Sequence, residues 1–397
     1  MNNSDKLKIL YHHRTQGRGA EGVHITSIVR ALQMRGHDVT VLSPPGIDPM
    51  KNAGNAPVDK SNVETTGVNS LWKFISMNLP NFMFEFAEIL YNLPAIRRLN
   101  DELSKTHYDL IYERYAFYMF AGAICARKYG IPFVLEANEV NGIRERARKQ
   151  SFPKLCRIFE KYIFNQCTSI HTVSSYLKQL IIKHGIAEST IVVTPNAIDP
   201  NKFTGIIDSS DLIKTYKLEG KVVIGFAGWF DNWDRLDLLI NVFINLKKDY
   251  SNIILLLIGD GKVLQLVRDK AKTANVESSV ILTGSIKRDV VHKYLSLLNI
   301  AIITHSNEFG SPVVMFEFMG LKIPIVAPRL MPITDVMVDK ESALLFNVMD
   351  MTAMESCVRT LLDNPKLAEY IASNAYSKLM RDHTWDNNAH EIVMALT

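Results

Sequence analysis

Short apolar runs alternate along the whole chain with longer stretches of helical periodicity. In the first half, six such runs end at turn residues: Lys8–Leu10, Val39–Leu42, Leu110–Tyr112, Phe133–Glu136, Ser169–Val173 and Ile191–Thr194. The pattern restarts in the second half with five runs that are nearly continuous in Val, Ile and Leu: Val222–Ala227, Ile253–Ile258, Val280–Leu282, Ile300–Thr304 and Ile323–Ala327. Strands that alternate with helices form βαβ units, and continuous apolar strands are typical of buried parallel sheets. The sequence therefore predicts two doubly wound α/β domains in tandem.

The junction between these domains lies in residues 194–200, which include Pro195 and Pro200. Proline fixes the backbone φ angle, so two prolines this close together suit a stiff connector. We therefore expect a first domain over residues 1–195 and a second domain that begins at residue 196.

Composition sharpens this division. The 397 residues are 47% apolar and 22% charged, as in soluble globular proteins, and the net charge of +4 disfavours a dedicated nucleic-acid binder. Residues 1–195 hold 24 basic against 17 acidic side chains, whereas residues 196–397 hold 21 against 24. Four cysteines without a CxxC pair indicate a reducing compartment. With no signal-peptide pattern and no long uncharged apolar run, the sequence predicts a cytoplasmic protein.

Glycines follow the first predicted strand as Gly17-x-Gly19-x-x-Gly22, before a helix that we expect to start near His24. This spacing matches the dinucleotide fingerprint, but about six residues separate strand from glycine, and the acidic residue that should end the second strand, Asp38, precedes it. Two interpretations remain. The loop brings backbone N–H groups close to an anionic or sugar ligand, or its glycines only permit positive φ angles.

A second candidate segment, residues 308–317, follows the predicted strand Ile300–Thr304. We expect Ser311 to be the N-cap of a helix and Pro312 its first residue, so that the N–H groups of residues 311–314 point out of the carboxyl end of the sheet. Ligands of open α/β sheets bind at that end. Glu317, six residues into the helix, faces either a pocket, where its carboxylate accepts two ribose hydroxyls, or solvent.

Metal and nucleotide motifs are missing from the sequence. It contains no HExxH, no P-loop and no Asp-x-Asp. These observations disfavour a metal-dependent nucleotide-sugar site.

Eight segments, which include parts of the two candidate segments above, follow one another in a fixed order over nearly the whole chain. They are GRGAEGVH (17–24), ALQMRGHDVTVLSPP (31–45), TPNAIDPNKF (194–203), GFAGWF (225–230), LLLIGDG (255–261), TGSI (283–286), GSPVVMFEFMGLKIPIVAP (310–328) and HTWDNNA (383–389). In this order and spacing, the chain resembles the family-4 glycosyltransferases of GT-B fold, in particular the branch that builds bacterial surface polysaccharides. The resemblance implies two Rossmann-like domains that face each other across a cleft. It also implies that a closing helix at about 380–397, from about Trp385, returns to the first domain, so that the second domain covers 196–379.

The resemblance further implies a retaining transferase that needs no metal or other cofactor. A nucleotide-diphosphate sugar would bind mainly on the second domain and a glycan or lipid-linked acceptor mainly on the first. Glu317 would bind the nucleotide ribose, the main chain of Ile286 would face the base, and Gly22 would approach the donor phosphate or the acceptor. One segment would bind the phosphates through its N–H groups, those of Gly310, Ser311, Val313 and Val314, with Pro312, which has no N–H, at its centre.

The donor positions of the second domain depart from the family pattern. The usual Arg and Lys after the first strand fall at Trp229 and Asp234, with Arg235 one step away. The first glutamate of the family's Glu-x7-Glu falls at Phe309, and Glu308 is one residue early. The Lys of the family's Ser-Pro-x-Lys is Val314.

In the first domain, the catalytic histidine of the family falls at Arg114, and its His-Asp falls at Asn138-Glu139. Loss of cations beside a diphosphate removes stabilisation of the leaving group. One hypothesis is that Arg235, Arg114 and His13 supply the charge, which makes Glu308, Arg114 and Arg235 the catalytic candidates.

Two further hypotheses stay open. The fold has lost transfer chemistry and serves as a non-catalytic partner or regulatory protein, or the chain is a nucleotide-sugar 2-epimerase, a class with the same architecture.

Two segments of the first domain suit an acceptor that is linked to lipid. Gly142–Phe164 holds seven Lys or Arg against two Glu and places Leu155, Ile158, Phe159 and Ile163 at helical intervals, as in helices that lie on anionic membranes. A helix packed on the sheet with a solvated basic face explains the pattern equally well. Leu79–Leu93 is a second apolar stretch, for an acceptor or for the core.

Overall fold

The computed structural model describes residues 6–17, 19–52, 80–143, 150–203 and 207–396. The chain divides into two compact units. The first unit is Met1–Thr194 with Trp385–Thr397, and the second unit is Pro195–Thr384.

The first unit alternates strands and helices. Its strands are β1 (Lys8–His12), β2 (Asp38–Leu42), β3 (Leu110–Arg114), β4 (Phe133–Ala137), β5 (Ser169–Thr172) and β6 (Ile191–Val193). Its helices are α1 (Gly19–Met34), α2 (Pro49–Asn52), α3 (Asn81–Leu90), α4 (Asn92–Leu103), α5 (Ala121–Tyr129), α6 (Pro153–Phe164), α7 (Ser175–Lys183) and, at the end of the chain, α17 (Trp385–Met394).

The six strands form one parallel sheet in the order β2-β1-β3-β4-β5-β6. The strand order reverses between β1 and β3, and open α/β sheets bind ligands beyond the carboxyl ends of the strands at such a point. The register there places Tyr11 beside Tyr112 and His12 beside Glu113. α1 and α17 cover the face that carries Tyr11 and Tyr112, and their apolar side chains share one core with those tyrosines.

The second unit repeats the alternation. Its strands are β7 (Val222–Phe230), β8 (Ile253–Gly261), β9 (Val280–Leu282), β10 (Ile300–Ile302), β11 (Ile325–Pro328) and β12 (Leu344–Phe346). Its helices are α8 (Pro200–Phe203), α9 (Ser210–Thr215), α10 (Leu236–Asp249), α11 (Leu264–Thr273), α12 (Val291–Leu295), α13 (Val313–Gly320), α14 (Met331–Thr334), α15 (Met351–Asp363) and α16 (Pro365–Asp382).

These strands also form a parallel sheet, in the order β12-β11-β10-β7-β8-β9. Read from β9, this is the Rossmann order, with its reversal between β7 and β10. One continuous apolar core fills the unit on both faces of the sheet. The near-continuous apolar strands of the sequence are explained by this burial.

All eleven predicted strands exist, and the prediction of two doubly wound α/β units is confirmed. The sequence analysis missed one strand, β12, which is only three residues long. None of the helices in the described ranges is long and apolar enough to cross a membrane.

Two helix starts differ from the predictions. α1 begins at Gly19 rather than near His24, because the turn is made earlier, at Gly17, where φ is +63°. Gly22 therefore lies inside the helix and not in a loop before it. α13 begins at Val313, and Pro312 rather than Ser311 occupies its N-cap position, with an extended ψ of 111°.

The start of the second unit is tied to two of its distant segments. Ile198 forms a β-bridge with Thr384, and its N–H donates to the carbonyl of His383 over 3.2 Å. The side-chain amide of Asn196 donates to the carbonyl of Ser311 over 2.7 Å. These contacts fix both ends of the second unit at one place.

Candidate active site

An ion pair lies at the carboxyl end of the first sheet, one strand away from the point where the strand order reverses. Arg114 ends β3, and the register places it beside Glu136 of β4. The guanidinium donates to the Glu136 carboxylate, and the two side chains are only 11% and 5% exposed. Neighbouring strands thus present the two charges side by side on one face of the sheet.

Glu136 accepts further hydrogen bonds from its surroundings. The Tyr112 hydroxyl donates to Oε2 over 3.0 Å, and the Asn138 side-chain amide donates to Oε1. Burial alone would raise the pKa of the Glu136 carboxyl, but Arg114, His24 and these donors outweigh burial and lower that pKa. Glu136 is therefore ionised at neutral pH, and it fixes Arg114 and Asn138 in place.

Two histidines border this pair and are neutral at pH 7. His24 lies with Nδ1 3.2 Å from Arg114 Nη1, and because a guanidinium only donates, this nitrogen accepts. Burial lowers the pKa of His24 to about 4. His13 is fully buried, with Nε2 2.8 Å from Ser43 Oγ. Burial, His12 and Arg114 lower its pKa to about 3, which does not favour the hypothesis that His13 supplies positive charge.

Gly22 has a packing role that its family position does not suggest. A Cβ atom at Gly22 would come within 2.2 Å of the carbonyl oxygen of Gly17, so only glycine lets the turn fold back on α1. The Gly22 carbonyl accepts from the Thr26 hydroxyl over 2.7 Å. Glu139, the other predicted residue of this unit, is half-buried next to Asn138.

A second pair of titratable side chains lies on the opposite face of the same sheet. His12 Nδ1 is 2.5 Å from Glu113 Oε2, and both side chains are at most 1% exposed. Gly122, at the start of α5, is required here because a Cβ atom would come within 2.1 Å of that carboxylate oxygen. The helix N-terminus thereby packs directly on Glu113, which sequence reasoning did not single out.

In the second unit, Glu317 lies in the second turn of α13, the helix that follows β10. It is 3% exposed, so the interpretation of a solvated glutamate is wrong. Its carboxylate accepts from Arg288, whose side chain is 45% exposed. Burial raises the pKa of Glu317 and Arg288 lowers it, with a net rise.

The loop before α13 is built by internal hydrogen bonds. The Asn307 side chain accepts from the N–H groups of Phe309 and Gly310, over 3.3 and 2.5 Å. The Ser311 hydroxyl accepts from the N–H of Asn196 over 3.2 Å, instead of capping α13. The N–H of Gly310 is therefore already bonded, which leaves later residues of the predicted phosphate segment as its donors.

Three more predicted residues of this loop differ in exposure. Glu308 and Val313 are exposed, whereas Val314 is partly buried and packs against the core of the unit. Glu308 thus presents its carboxylate to solvent at the carboxyl end of the sheet. Ile286, after β9, packs its side chain against the same core, which leaves its main chain for ligand contact.

The residues that end β7 and follow it include an arginine that is already paired with a carboxylate. Arg235 adopts a left-handed φ of 50° and donates through Nε and Nη2 to the two oxygens of Asp237, each over 2.8 Å. Burial raises the pKa of Asp234 to about 7, although the N–H of Asp231 donates to its carboxylate over 2.9 Å. Trp229, at the end of β7, is 62% exposed.

Sequence reasoning missed Glu136, Glu113 and Arg288. The two glutamates carried a usable signal, because a carboxylate inside an otherwise apolar strand is buried and needs a partner. Arg288 carried none, since it stands in the charged run Lys287-Arg288-Asp289, which is typical of a solvated turn.

Two family models match the chain, one on each unit. A model described as Glycosyltransferase Family 4 matches residues 21–202, and a model described as Glycosyl transferases group 1 matches residues 209–378. Together with the two Rossmann-like units, these matches make the chain a glycosyltransferase of the GT-B fold.

Individual relatives agree with this class. The chain is 23% identical over 397 residues to a D-inositol 3-phosphate glycosyltransferase of Acidothermus cellulolyticus, covering 94% of this chain and 84% of that protein. It is 22% identical over 320 residues to an uncharacterized glycosyltransferase of Methanocaldococcus jannaschii, covering 80% of this chain and 83% of that protein.

Solved structures show the same fold. Anabaena HepE in complex with UDP superposes with a TM-score of 0.70 at 15% identity, covering 97% of this chain and 98% of that one. The lipopolysaccharide outer core galactosyltransferase WaaB, in its apo form, superposes with a TM-score of 0.67 at 13% identity, covering 98% and 99%. The predicted GT-B fold is confirmed.

Proposed function

We propose that this glycosyltransferase is a retaining hexosyltransferase of surface polysaccharide synthesis. It moves a sugar from a nucleotide-diphosphate sugar to a glycan or lipid-linked acceptor, without a metal or other cofactor. The observation that carries the proposal is the buried carboxylate of Glu317 in α13, beyond the carboxyl end of β10, where a Rossmann sheet binds its ligand. The HepE complex with UDP and the lipopolysaccharide transferase support it through their similarity to this chain.

The donor binds on the second unit in this proposal. Glu317 accepts hydrogen bonds from the ribose hydroxyls, and the main chain of Ile286 contacts the base. N–H groups near the start of α13 and the helix dipole bind the phosphates. Glu308, which is exposed just before that helix, is the catalytic carboxylate that contacts the sugar.

The acceptor binds on the first unit, beyond the ends of β1 and β3. Asn138 presents a polar group in a fixed orientation, because it is hydrogen-bonded to Glu136, whereas His13 is fully buried and holds Ser43 in place. Arg114 presents a positive charge whose position Glu136 determines. Neutral polar side chains around one fixed cation suit an acceptor rich in hydroxyl groups.

The experiment incubates the full chain with UDP-, GDP- and ADP-sugars, with and without a lipid-linked glycan acceptor, and measures the free nucleotide diphosphate. We expect release that depends on the acceptor, persists in EDTA, and falls at least about 100-fold in Glu308→Gln. Glu277→Gln, an exposed glutamate before β9, is the matched control. NMR of the product reports whether the anomeric configuration is retained. An isomerised sugar in place of released nucleotide would overturn the proposal in favour of a 2-epimerase.

One observation favours a second candidate function, a non-catalytic partner or regulatory protein. The two arginines expected to neutralise the diphosphate are both paired with carboxylates, Arg114 with Glu136 and Arg235 with Asp237. A pair of this kind contributes little net charge to a ligand. Nucleotide binding without any turnover or isomerisation, across the same panel and with acceptor present, would establish this second function.

We further propose that the first unit contacts the inner face of the cytoplasmic membrane, where a lipid-linked acceptor is found. α3 exposes Phe82, Phe86 and Leu90, which recur every four residues, and α6 exposes Ile158. Glu85 of α3 accepts from the N–H of Phe152, just before α6, so the two helices meet. Exposed cations lie on α6 beside its apolar residues: Lys154, Arg157 and Lys161. Residues 144–149 of the predicted basic segment, and Leu79, lie outside the described residues.

Liposome sedimentation tests this contact. We expect stronger binding to anionic than to neutral vesicles, and a loss of binding in Phe86→Ser/Ile158→Ser. Met34→Ser is the matched control, because Met34 is 85% exposed at the far end of α1. Equal binding to both kinds of vesicle would overturn the membrane proposal and leave the transferase proposal intact.

A further inference from the structure

Arg288 and Glu317 come from segments that are well separated in the sheet. Arg288 follows β9, the edge strand, whereas Glu317 belongs to the helix after β10. In the sheet order, β7 and β8 lie between β9 and β10. The ion pair therefore extends over the carboxyl ends of these central strands, next to the reversal point between β7 and β10. A pair in this place lies where the donor nucleotide is proposed to bind.

The two partners differ in their access to water. The Glu317 side chain is 4% exposed and the Arg288 side chain is 45% exposed. A buried carboxylate stays ionised only when a positive charge or several donors compensate it. In the described part of the chain, Arg288 is the charged group that acts on Glu317. The protonation state of Glu317 thus depends on one arginine at the surface of the site.

We propose that Arg288 is a positioning residue for the donor nucleotide. It keeps Glu317 ionised and oriented, so that the carboxylate accepts hydrogen bonds from both ribose hydroxyls. This inference rests on the proposed function. An ionised carboxylate accepts only, whereas a protonated one turns a donor toward the ribose and loses one acceptor. Arg288 acts through Glu317 and not by contact with the phosphates.

The pH dependence of binding separates this role from a merely structural one. Burial already gives Glu317 a raised pKa with Arg288 present, so removal of the arginine raises that pKa further. We expect Arg288→Ala to bind nucleotide more tightly as pH rises from 6 to 9, by up to about tenfold for each pH unit below the new pKa. Arg288→Lys restores most of the affinity at pH 7, because it restores the charge. In Arg288→Ala/Glu317→Gln, the pH dependence disappears.

The experiment measures affinity by calorimetry for uridine, UMP and UDP, or for the guanosine or adenosine series if the wild-type protein binds that base more tightly. We expect Arg288→Ala to weaken all three members of the series by the same factor, about tenfold or more at pH 7. We also expect it to abolish the preference for UDP over 2′-deoxy-UDP. Lys287→Ala is the control, since it removes the adjacent exposed cation and leaves the ion pair in place.

Three outcomes would overturn the inference. A loss that grows with the number of phosphates would make Arg288 a phosphate ligand. An affinity of Arg288→Ala that does not change between pH 6 and 9, or a loss equal to that in Lys287→Ala, would remove its action on Glu317. If the wild-type chain binds none of these nucleotides, the proposed function fails first, and this result is obtained before any variant is compared.

Discussion

Both units contain an arginine paired with a glutamate near the carboxyl end of their sheet, but in different surroundings. Arg114 and Glu136 are 11% and 5% exposed and lie side by side on neighbouring strands. Arg288 is 45% exposed and reaches Glu317 from a separate segment. Water reaches the arginine of the second pair, whereas the first pair is almost fully shielded from water. The same chemical pair is therefore enclosed in the first unit and open on its arginine side in the second, where we propose that it faces the donor nucleotide.

The sharpest way to break this comparison is to remove each arginine. We expect Arg114→Met to destabilise the first unit by about 3–5 kcal/mol, because Glu136 is left buried and unpaired. Arg288→Met should cost less, because Glu317, whose pKa is already raised, takes up a proton once the half-exposed guanidinium is removed. Denaturant unfolding followed by circular dichroism measures both. Arg114→Met/Glu136→Leu should recover most of the loss, and equal costs for the two single variants would refute the distinction.

The two units also differ in their response to pH. In the first unit, burial lowers the pKa of His13 to about 3 and those of His24 and His171 to about 4. Their stabilising contribution is complete above the usual histidine pKa and is lost as pH falls toward 4. In the second unit, burial raises the pKa of Asp234 to about 7, so its contribution is complete at acid pH and is lost as pH rises through about 7. One histidine of the second unit, His383, behaves like those of the first.

Replacement of Asp234 tests this second response. We expect Asp234→Asn to stabilise the second unit by about 2–4 kcal/mol at pH 8 and to have little effect at pH 4. The amide oxygen still accepts from the N–H of Asp231, so the turn is preserved. Calorimetric unfolding between pH 4 and 8 measures the difference, and Asp260→Asn, at the end of β8, is the control. A constant difference across this range would show that Asp234 does not titrate there.

The next largest effect is expected at Arg235, on turnover rather than on stability. If it carries phosphate charge, Arg235→Ala should lower nucleotide-sugar turnover at least about 100-fold, or about 2.7 kcal/mol. Its effect on unfolding should be below about 1 kcal/mol, because its pair with Asp237 is partly exposed. Arg268→Ala, an exposed arginine of α11, is the control for turnover. Unchanged turnover in Arg235→Ala would remove Arg235 from the mechanism.

The smallest expected effect is at Gly22. Gly22→Ala forces the Gly17 turn away from α1, and we expect it to cost about 1–3 kcal/mol in unfolding free energy. Ser27→Ala on the same helix lacks this clash and should be close to neutral. Thermal unfolding of the two variants measures the difference. A neutral Gly22→Ala would mean that the turn moves freely away from the added methyl group.

The fold could be predicted because hydrophobic periodicity reports burial directly. Eleven strands showed as apolar runs, and only β12 was missed, although β6, β9 and β10 are equally short. Helix starts were harder to predict, because one positive φ at Gly17 decides where α1 begins. The site could be predicted only as far as the family motif extends. Glu317 was singled out as a candidate, but its burial was not predicted.

The charged partners could not be predicted, for two physical reasons. The pair of Arg114 and Glu136 depends on strand register, which a parallel sheet sets through long crossover connections. The pair of Arg288 and Glu317 depends on which segments a sheet brings together, and no local pattern encodes that. The sequence therefore indicated some of the charged residues of the candidate site, but not which residue of opposite charge pairs with each of them.

The bridge between Ile198 and Thr384 has a consequence for engineering. The first and last residues of the stretch 195–384 lie next to each other. In the sequence, this stretch is therefore an insertion between the two segments of the first unit, and its two ends are already in contact. A gene segment cut at these two points encodes a self-contained module. Such a module is the natural unit to express alone, or to exchange between relatives in order to transplant one half of the specificity without the other.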